Sequence, residues 1–134
     1  MGIRGFRAGE RVSDKFAWIS VAGTILLTIY GQLVIKWRLG GLVLPDGFYP
    51  KVTALVWKMT DPWIMSALAA AVIASLFWMS AMTRLPLSVA YPFTSLSFII
   101  VSFMGIAFMG EALTMGRMAG VVLVALGLVF IARA

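Results

Sequence analysis

The sequence predicts an all-α membrane protein with four transmembrane helices and a short interfacial amphipathic helix in its first loop. Three observations carry that expectation. The chain of 134 residues is 62% hydrophobic and only 12% charged, where a soluble domain is about half apolar and about a quarter charged. Its mean hydropathy is +1.01. The charges also punctuate the chain, leaving four uncharged runs near the ~20 residues a helix needs to cross hydrocarbon.

The first run, residues 16–35 between Lys15 and Lys36, predicts a span over about 16–36. It is longer than the apolar core of a cleavable signal and ends in Gln32-Leu33-Val34-Ile35, with no small-residue cleavage site. Residues 62–83, between Asp61 and Arg84, predict the second span. Residues 86–109 predict the third, before Glu111. The fourth run, 118–132, reaches spanning length only if residues 114–117 form its first turn, with Thr114 as N-cap and Arg117 snorkelling to the interface. Trp18, Trp37, Trp57 and Trp63 fall near run ends, as an interfacial aromatic belt requires. Together the runs predict one transmembrane domain over residues 1–134.

The loop between the first two spans opens with turn residues, Gly40-Gly41 and Pro45-Asp46-Gly47. Val52, Leu55, Val56 and Met59 then recur at helical spacing, with Lys51 and Lys58 on another face. This predicts an amphipathic helix over about 49–60, lying in the membrane interface.

Composition excludes several functions. With no cysteine there is no disulfide scaffold, and with no histidine either, neither a Cys/His metal centre nor a Ser-His or Cys-His hydrolase can be built. No metal or other cofactor and no catalytic residue is expected; the chain reads as a transporter and not an enzyme. The net charge of +6 resides in tails and loops, without the aromatic–basic platform that single strands need. Anionic lipid head groups, not nucleic acid, are the expected partners. If both termini share a side, Arg4, Arg7, Arg11, Lys15, Arg84 and Arg133 lie there, and Lys36, Arg38, Lys51, Lys58 and Arg117 lie opposite. Six against five barely biases orientation, which leaves open an antiparallel dimer or a single orientation set by other features.

Inside the spans, Ser20, Thr24, Thr28 and Gln32 form an oblique polar stripe on the first helix, with Gly31 beside it. Ser88, Tyr91, Ser95 and Ser102 form another on the third. Such stripes serve either helix packing or a shared substrate groove; Gln32 and Tyr91 favour a groove, since larger polar groups at depth need partners or water. Pro86 fits a first helical position, whereas Pro92 removes the bond to the Ser88 carbonyl and predicts a kink, read as a gate or as a tolerated membrane proline. Gly116, Gly120 and Gly127 on the fourth helix predict close packing, within the chain or between subunits; Ala67, Ala70 and Ala74 on the second read the same way. None of the four uncharged runs contains Asp, Glu, Lys or Arg, so the carboxylate that a proton-coupled exporter uses is missing. Lys36 and Arg84, at span ends, suit either a phosphate at the interface or ordinary anchoring.

These residues carry a resemblance. Leu85-Pro86-Leu87-Ser88-Val89-Ala90-Tyr91-Pro92 with Ser95-Leu96-Ser97-Phe98, and Gly110-Glu111-Ala112-Leu113-Thr114 with Gly120 and Gly127, resemble the third and fourth helices of the drug/metabolite transporter superfamily (EamA-like). Gly31-Gln32 followed by Lys36 resembles the end of its first helix. Small multidrug resistance exporters of that superfamily carry a Glu where this chain has Thr28. The nearer resemblance is to the flippase subunits for aminoarabinose linked to undecaprenyl phosphate, from which the long first loop and basic tail depart. It implies a flippase in the bacterial inner membrane that moves a polyprenyl-phosphate-linked sugar. Thr24, Thr28, Gln32, Lys36, Arg84, Ser88, Tyr91 and Ser95 would meet the substrate, Pro92 would gate, and Glu111, Gly116, Gly120 and Gly127 would serve the loop or subunit contact. It also implies a homodimer, antiparallel or not, or a heterodimer with a paralogous four-helix subunit. Two other readings stay open: a small-solute or cation exporter with altered coupling, and a non-transporting subunit of a glycosyltransferase complex.

Overall fold

The computed structural model describes residues 15–134; the basic segment with Arg4, Arg7 and Arg11 lies outside them. The described chain is helical, in the order α1 (Lys15–Leu39), α2 (Phe48–Lys58), α3 (Pro62–Met82), α4 (Leu87–Phe93), α5 (Ser95–Met109) and α6 (Met115–Arg133). Four segments are long and apolar enough to cross a membrane: α1, α3, α4 with α5 as one span, and α6. The protein is therefore an all-α, multi-pass membrane protein, as the uncharged runs predict.

The antiparallel pair α1–α3 is the frame. Small residues bring the two backbones together: a Cβ on Gly31 would stand 3.4 Å from the Ala67 carbonyl, and one on Gly23 would stand 3.4 Å from the Phe77 ring. Ala67, Ala70 and Ala74 are buried along α3. Lipid supplies no hydrophobic driving force between helices, so this close approach and the hydroxyl bonds across it hold the pair. Thr24 Oγ1 donates to the carbonyl of Ser20 at 2.9 Å and lies 3.3 Å from that of Ala74 on α3. Ala17, Val21, Ile25 and Ile29 continue the seam and meet Ala81, Leu85 and Ala90 in the chain's main apolar cluster.

Aromatic contacts mark both ends of the frame. At one end Trp18 of α1 stands edge-on to Phe93 of α4, with ring centroids 5.0 Å apart. At the other Trp37 meets Trp63 at 5.6 Å, and Arg38 Nε donates to Asp61 at 2.9 Å. Asp61 is also the N-cap of α3, accepting from the Trp63 N–H at 2.9 Å.

The third span departs from the expected single helix. Pro86 (φ −68°, ψ 142°) caps α4 instead of opening it, because its ψ is extended. The interruption falls at Thr94, two residues past Pro92: Thr94 N–H turns back to Tyr91 at 3.0 Å and Ser97 N–H to Thr94 at 3.0 Å, tight three-residue turns. The hydroxyls of Thr94, Ser95 and Ser97 donate to the carbonyls of Tyr91, Pro92 and Thr94, which satisfies backbone that the proline leaves irregular at membrane depth.

Helix α2 forms where the Val52–Leu55–Val56 spacing predicts it but ends at Lys58; Thr60 Oγ1 donates to the Trp57 carbonyl and turns the chain toward α3. None of its residues is buried, and Phe48, Tyr49 and Trp57 are widely exposed. Helix α6 is the loosest span: Leu128 is its one buried residue, and a Cβ at Gly116, Gly120 or Gly127 would meet nothing within 4 Å.

Two outcomes follow for stability. Ala67→Leu, at a site with no exposed surface, overpacks the α1–α3 seam and is expected to cost about 1–3 kcal/mol in a thermal or denaturant melt in detergent. The Asp61 carboxyl is held below the ordinary carboxylate range, chiefly by its hydrogen bond from Arg38, against an opposing effect of desolvation. A carboxyl lowered in the folded state contributes stability above its unfolded pKa and loses it as the pH falls through the folded value. Asp61→Asn keeps a capping side chain and should lower the melting temperature at neutral pH, the difference from the parent closing as the pH falls below the ordinary carboxylate range.

Candidate functional site

Two cavities share the polar stripe of α1. One, about 410 Å³, lies between α1 and α3 and is lined by Thr24, Thr28, Gly31, Gln32, Ser75 and Trp78 among others. The second, about 340 Å³, lies between α1 and α5 and is lined by Gln32, Lys36, Ser97, Ser102, Gly105 and Glu111 among others. Gln32 borders both. A third space of about 720 Å³ separates α5 from α6; Phe98, Phe103, Ile106, Leu113 and Val121 make it largely apolar, with Glu111 and Arg117 in its wall.

The end of the groove is set by local backbone. Gly110 closes α5 in the left-handed conformation (φ 65°), which lets the Glu111 N–H reach back to the Gly105 carbonyl at 3.2 Å. The Glu111 side chain folds over Gly105, where a Cβ would stand 2.9 Å from Oε2. From there Oε1 lies 3.2 Å from Lys36 Nζ and Oε2 lies 3.9 Å from Arg117 Nη1. Arg117 sits in the first turn of α6, where the helix dipole disfavours a cation, and Glu111 offsets that placement. Thr114 Oγ1 accepts the Arg117 N–H at 3.3 Å, the cap expected for this helix.

The structure places Thr24, Thr28 and Gln32 on the α1–α3 cavity and Gln32 with Lys36 on the α1–α5 cavity, and sends the rest of the expected set elsewhere. Arg84 is exposed beyond α3, at the opposite end of the bundle from Lys36, because α1 and α3 run antiparallel. Ser88 is exposed; Tyr91 is 65% exposed and meets the edge of Trp78 at 6.1 Å. Ser95 turns back to the Pro92 carbonyl. The stripe drawn through Ser88, Tyr91, Ser95 and Ser102 assumed one uninterrupted helix; the break at Thr94 shifts the phase, so Ser97 and Ser102 face Gln32 instead. Pro92 stands just before that break. Ser75, Trp78 and Ser97 line the groove without having been singled out, and Glu111 bridges two cations where only a loop contact was expected. Among the described residues no group of Asp or Glu side chains is arranged to hold a metal.

Comparison with known proteins follows the same lines. The chain is 32% identical over 115 residues to a probable 4-amino-4-deoxy-L-arabinose-phosphoundecaprenol flippase subunit ArnF of Pseudomonas paraeruginosa, covering 82% of this chain and 80% of that one. It is 32% identical over 114 residues to the ArnF of Erwinia tasmaniensis, covering 81% and 88%. The chain belongs to this family of flippase subunits. Its likeness extends to subunits named ArnE, such as that of Photorhabdus laumondii, 32% identical over 108 residues and covering 77% and 84%. No family model matches the chain, and no solved structure does.

Within this flippase-subunit frame the ion pairs around Glu111 are weak structural elements, since Lys36 and Arg117 keep 62% and 60% of their side-chain surface exposed. Lys36→Gln is therefore expected to change stability by no more than about 1 kcal/mol in a detergent melt, so any effect on transport will not be a folding defect.

Proposed function

We propose that the chain is one subunit of a flippase that carries a polyprenyl-phosphate-linked sugar, an aminosugar as in the names of its relatives, across the bacterial inner membrane. The observation that carries this reading is Gln32: an uncharged polar side chain common to two hydroxyl-lined cavities, one of which is also lined by Lys36. A sugar-phosphate head group crosses hydrocarbon slowly, because each unsatisfied polar group there costs several kcal/mol. A groove of Thr28, Gln32, Ser75, Ser97 and Ser102 would replace its water while the prenyl tail stays among lipids. No bond is made or broken, so the work is transport. Lys36 at one rim and Arg84 at the other would hold the phosphate at the two ends of its path. Thr28 stands where exporters of the superfamily place their acid, so proton exchange at that position is not part of the cycle.

The open face of α6 supports assembly with a second four-helix chain. Gly116, Gly120 and Gly127 leave room along it for another helix backbone. The relatives are named as subunits under two names, which favours a paralogous partner over a second copy.

Gln32→Ala should lower translocation of the lipid-linked sugar in proteoliposomes by about tenfold, the worth of one hydrogen bond to a group otherwise left unpaired. Mass spectrometry of lipids co-purifying with the parent should find a sugar-phosphate polyprenol; retention of ordinary phospholipids alone would remove the substrate assignment. Gly120→Ile should abolish co-purification with the partner subunit while the single chain still melts cooperatively.

A further inference from the structure

We propose that Lys36 and Arg117 form a two-cation seat for the phosphodiester of a membrane lipid, which Glu111 occupies as an internal anion until the lipid displaces it. The identity of the lipid rests on the flippase reading; the seat rests on geometry. One carboxylate lies between two cations from different helices, 3.2 Å from Lys36 and 3.9 Å from Arg117. A phosphodiester carries one negative charge, as a carboxylate does, so the exchange leaves the net charge of the site unchanged. Both cations are well exposed, so their hold on Glu111 is weak enough to be replaced. A phosphate offers more acceptor oxygens than the carboxylate and meets Arg117 with two parallel bonds.

The position fits the chemistry of such a lipid. Glu111 is a wall residue of both the polar cavity with Gln32, Ser97 and Ser102 and the apolar space with Phe103, Ile106 and Val121. A phosphodiester is the joint between a polar head and an apolar tail, and its seat belongs where such spaces meet. The polar cavity would take the head and the α5–α6 space the start of the tail. Arg117 Nη1 also donates to the Ala112 carbonyl at 3.2 Å, which holds the guanidinium beside Glu111.

The test titrates the full chain in dodecyl maltoside with a synthetic polyprenyl phosphoryl pentose, and separately with phosphatidylglycerol, reading occupancy by native mass spectrometry. Glu111→Gln removes the internal anion and should bind the phosphodiester about tenfold tighter, whereas Lys36→Gln and Arg117→Gln should each bind about tenfold weaker. The gain from Glu111→Gln should shrink when Lys36→Gln is added, because the two act on one seat. Unchanged or weaker binding by Glu111→Gln overturns the proposal. Should that variant fail to fold, parental affinity in Lys36→Gln overturns it equally. Tightening confined to phosphatidylglycerol upholds the seat and counts against the lipid-linked sugar, while binding of neither lipid by any variant overturns both.

Discussion

The close approach of α1 and α3 is the constraint on which the rest of the molecule depends. Gly31 against the Ala67 carbonyl and Thr24 reaching the Ala74 carbonyl bring the backbones nearer than leucines would allow. In lipid such contact must come from shape and hydrogen bonding, since apolar side chains gain nothing by leaving one apolar medium for another. The small residues do more than hold the pair. They run beside Thr28 and Gln32, so the groove is the space the seam leaves open at its edge. A bulky residue in the seam would therefore move the groove wall as well as loosen the frame.

Charge is kept to the ends of the spans, where its neighbours can answer it. Arg38 pairs with Asp61 at the corner that joins α1 to α3, where the carboxylate also caps a helix. Lys36 and Arg117 converge on Glu111 at the same end of the bundle. The two arrangements differ in kind. Asp61 keeps only 12% of its side chain exposed and serves three donors in one corner, so it is a fastening. Glu111 is shared by two well-exposed cations beside open cavities, which is what the proposed exchange requires.

The fold was legible because the bilayer simplifies the problem. Uncharged runs of spanning length between single charges leave few alternatives, and four helices long and apolar enough to cross a membrane are what the chain forms. The groove was legible in α1, whose stripe from Thr24 to Lys36 lies on one unbroken helix. It was not legible in the third span, because a helical wheel cannot be carried through Thr94. Pro92 signals a disturbance but not its position, nor the change of face that brings Ser97 and Ser102 in and leaves Ser88 and Tyr91 out. Glu111 was hidden for another reason. Its place depends on Gly110 turning left-handed and on the bare backbone of Gly105 six residues earlier, a pairing that neither strand nor helix periodicity displays. A glycine six residues ahead of an acid, across a Gly-ended helix, is the trace it leaves.

The uneven tightness of the bundle is itself informative. A helix exposed to lipid on all sides has no reason to carry glycines, which weaken it by about 1 kcal/mol each relative to alanine. Yet α6 carries Gly116, Gly120 and Gly127 with open space at each, while α1 places its glycines against α3. The same residue type thus meets a close neighbour on one helix and open space on the other. A chain that met lipid alone would do better with alanine at those three sites. Gly120 itself lines the space between α5 and α6, so the bare backbone of α6 widens that space, and the proposed partner subunit would meet the same bare backbone.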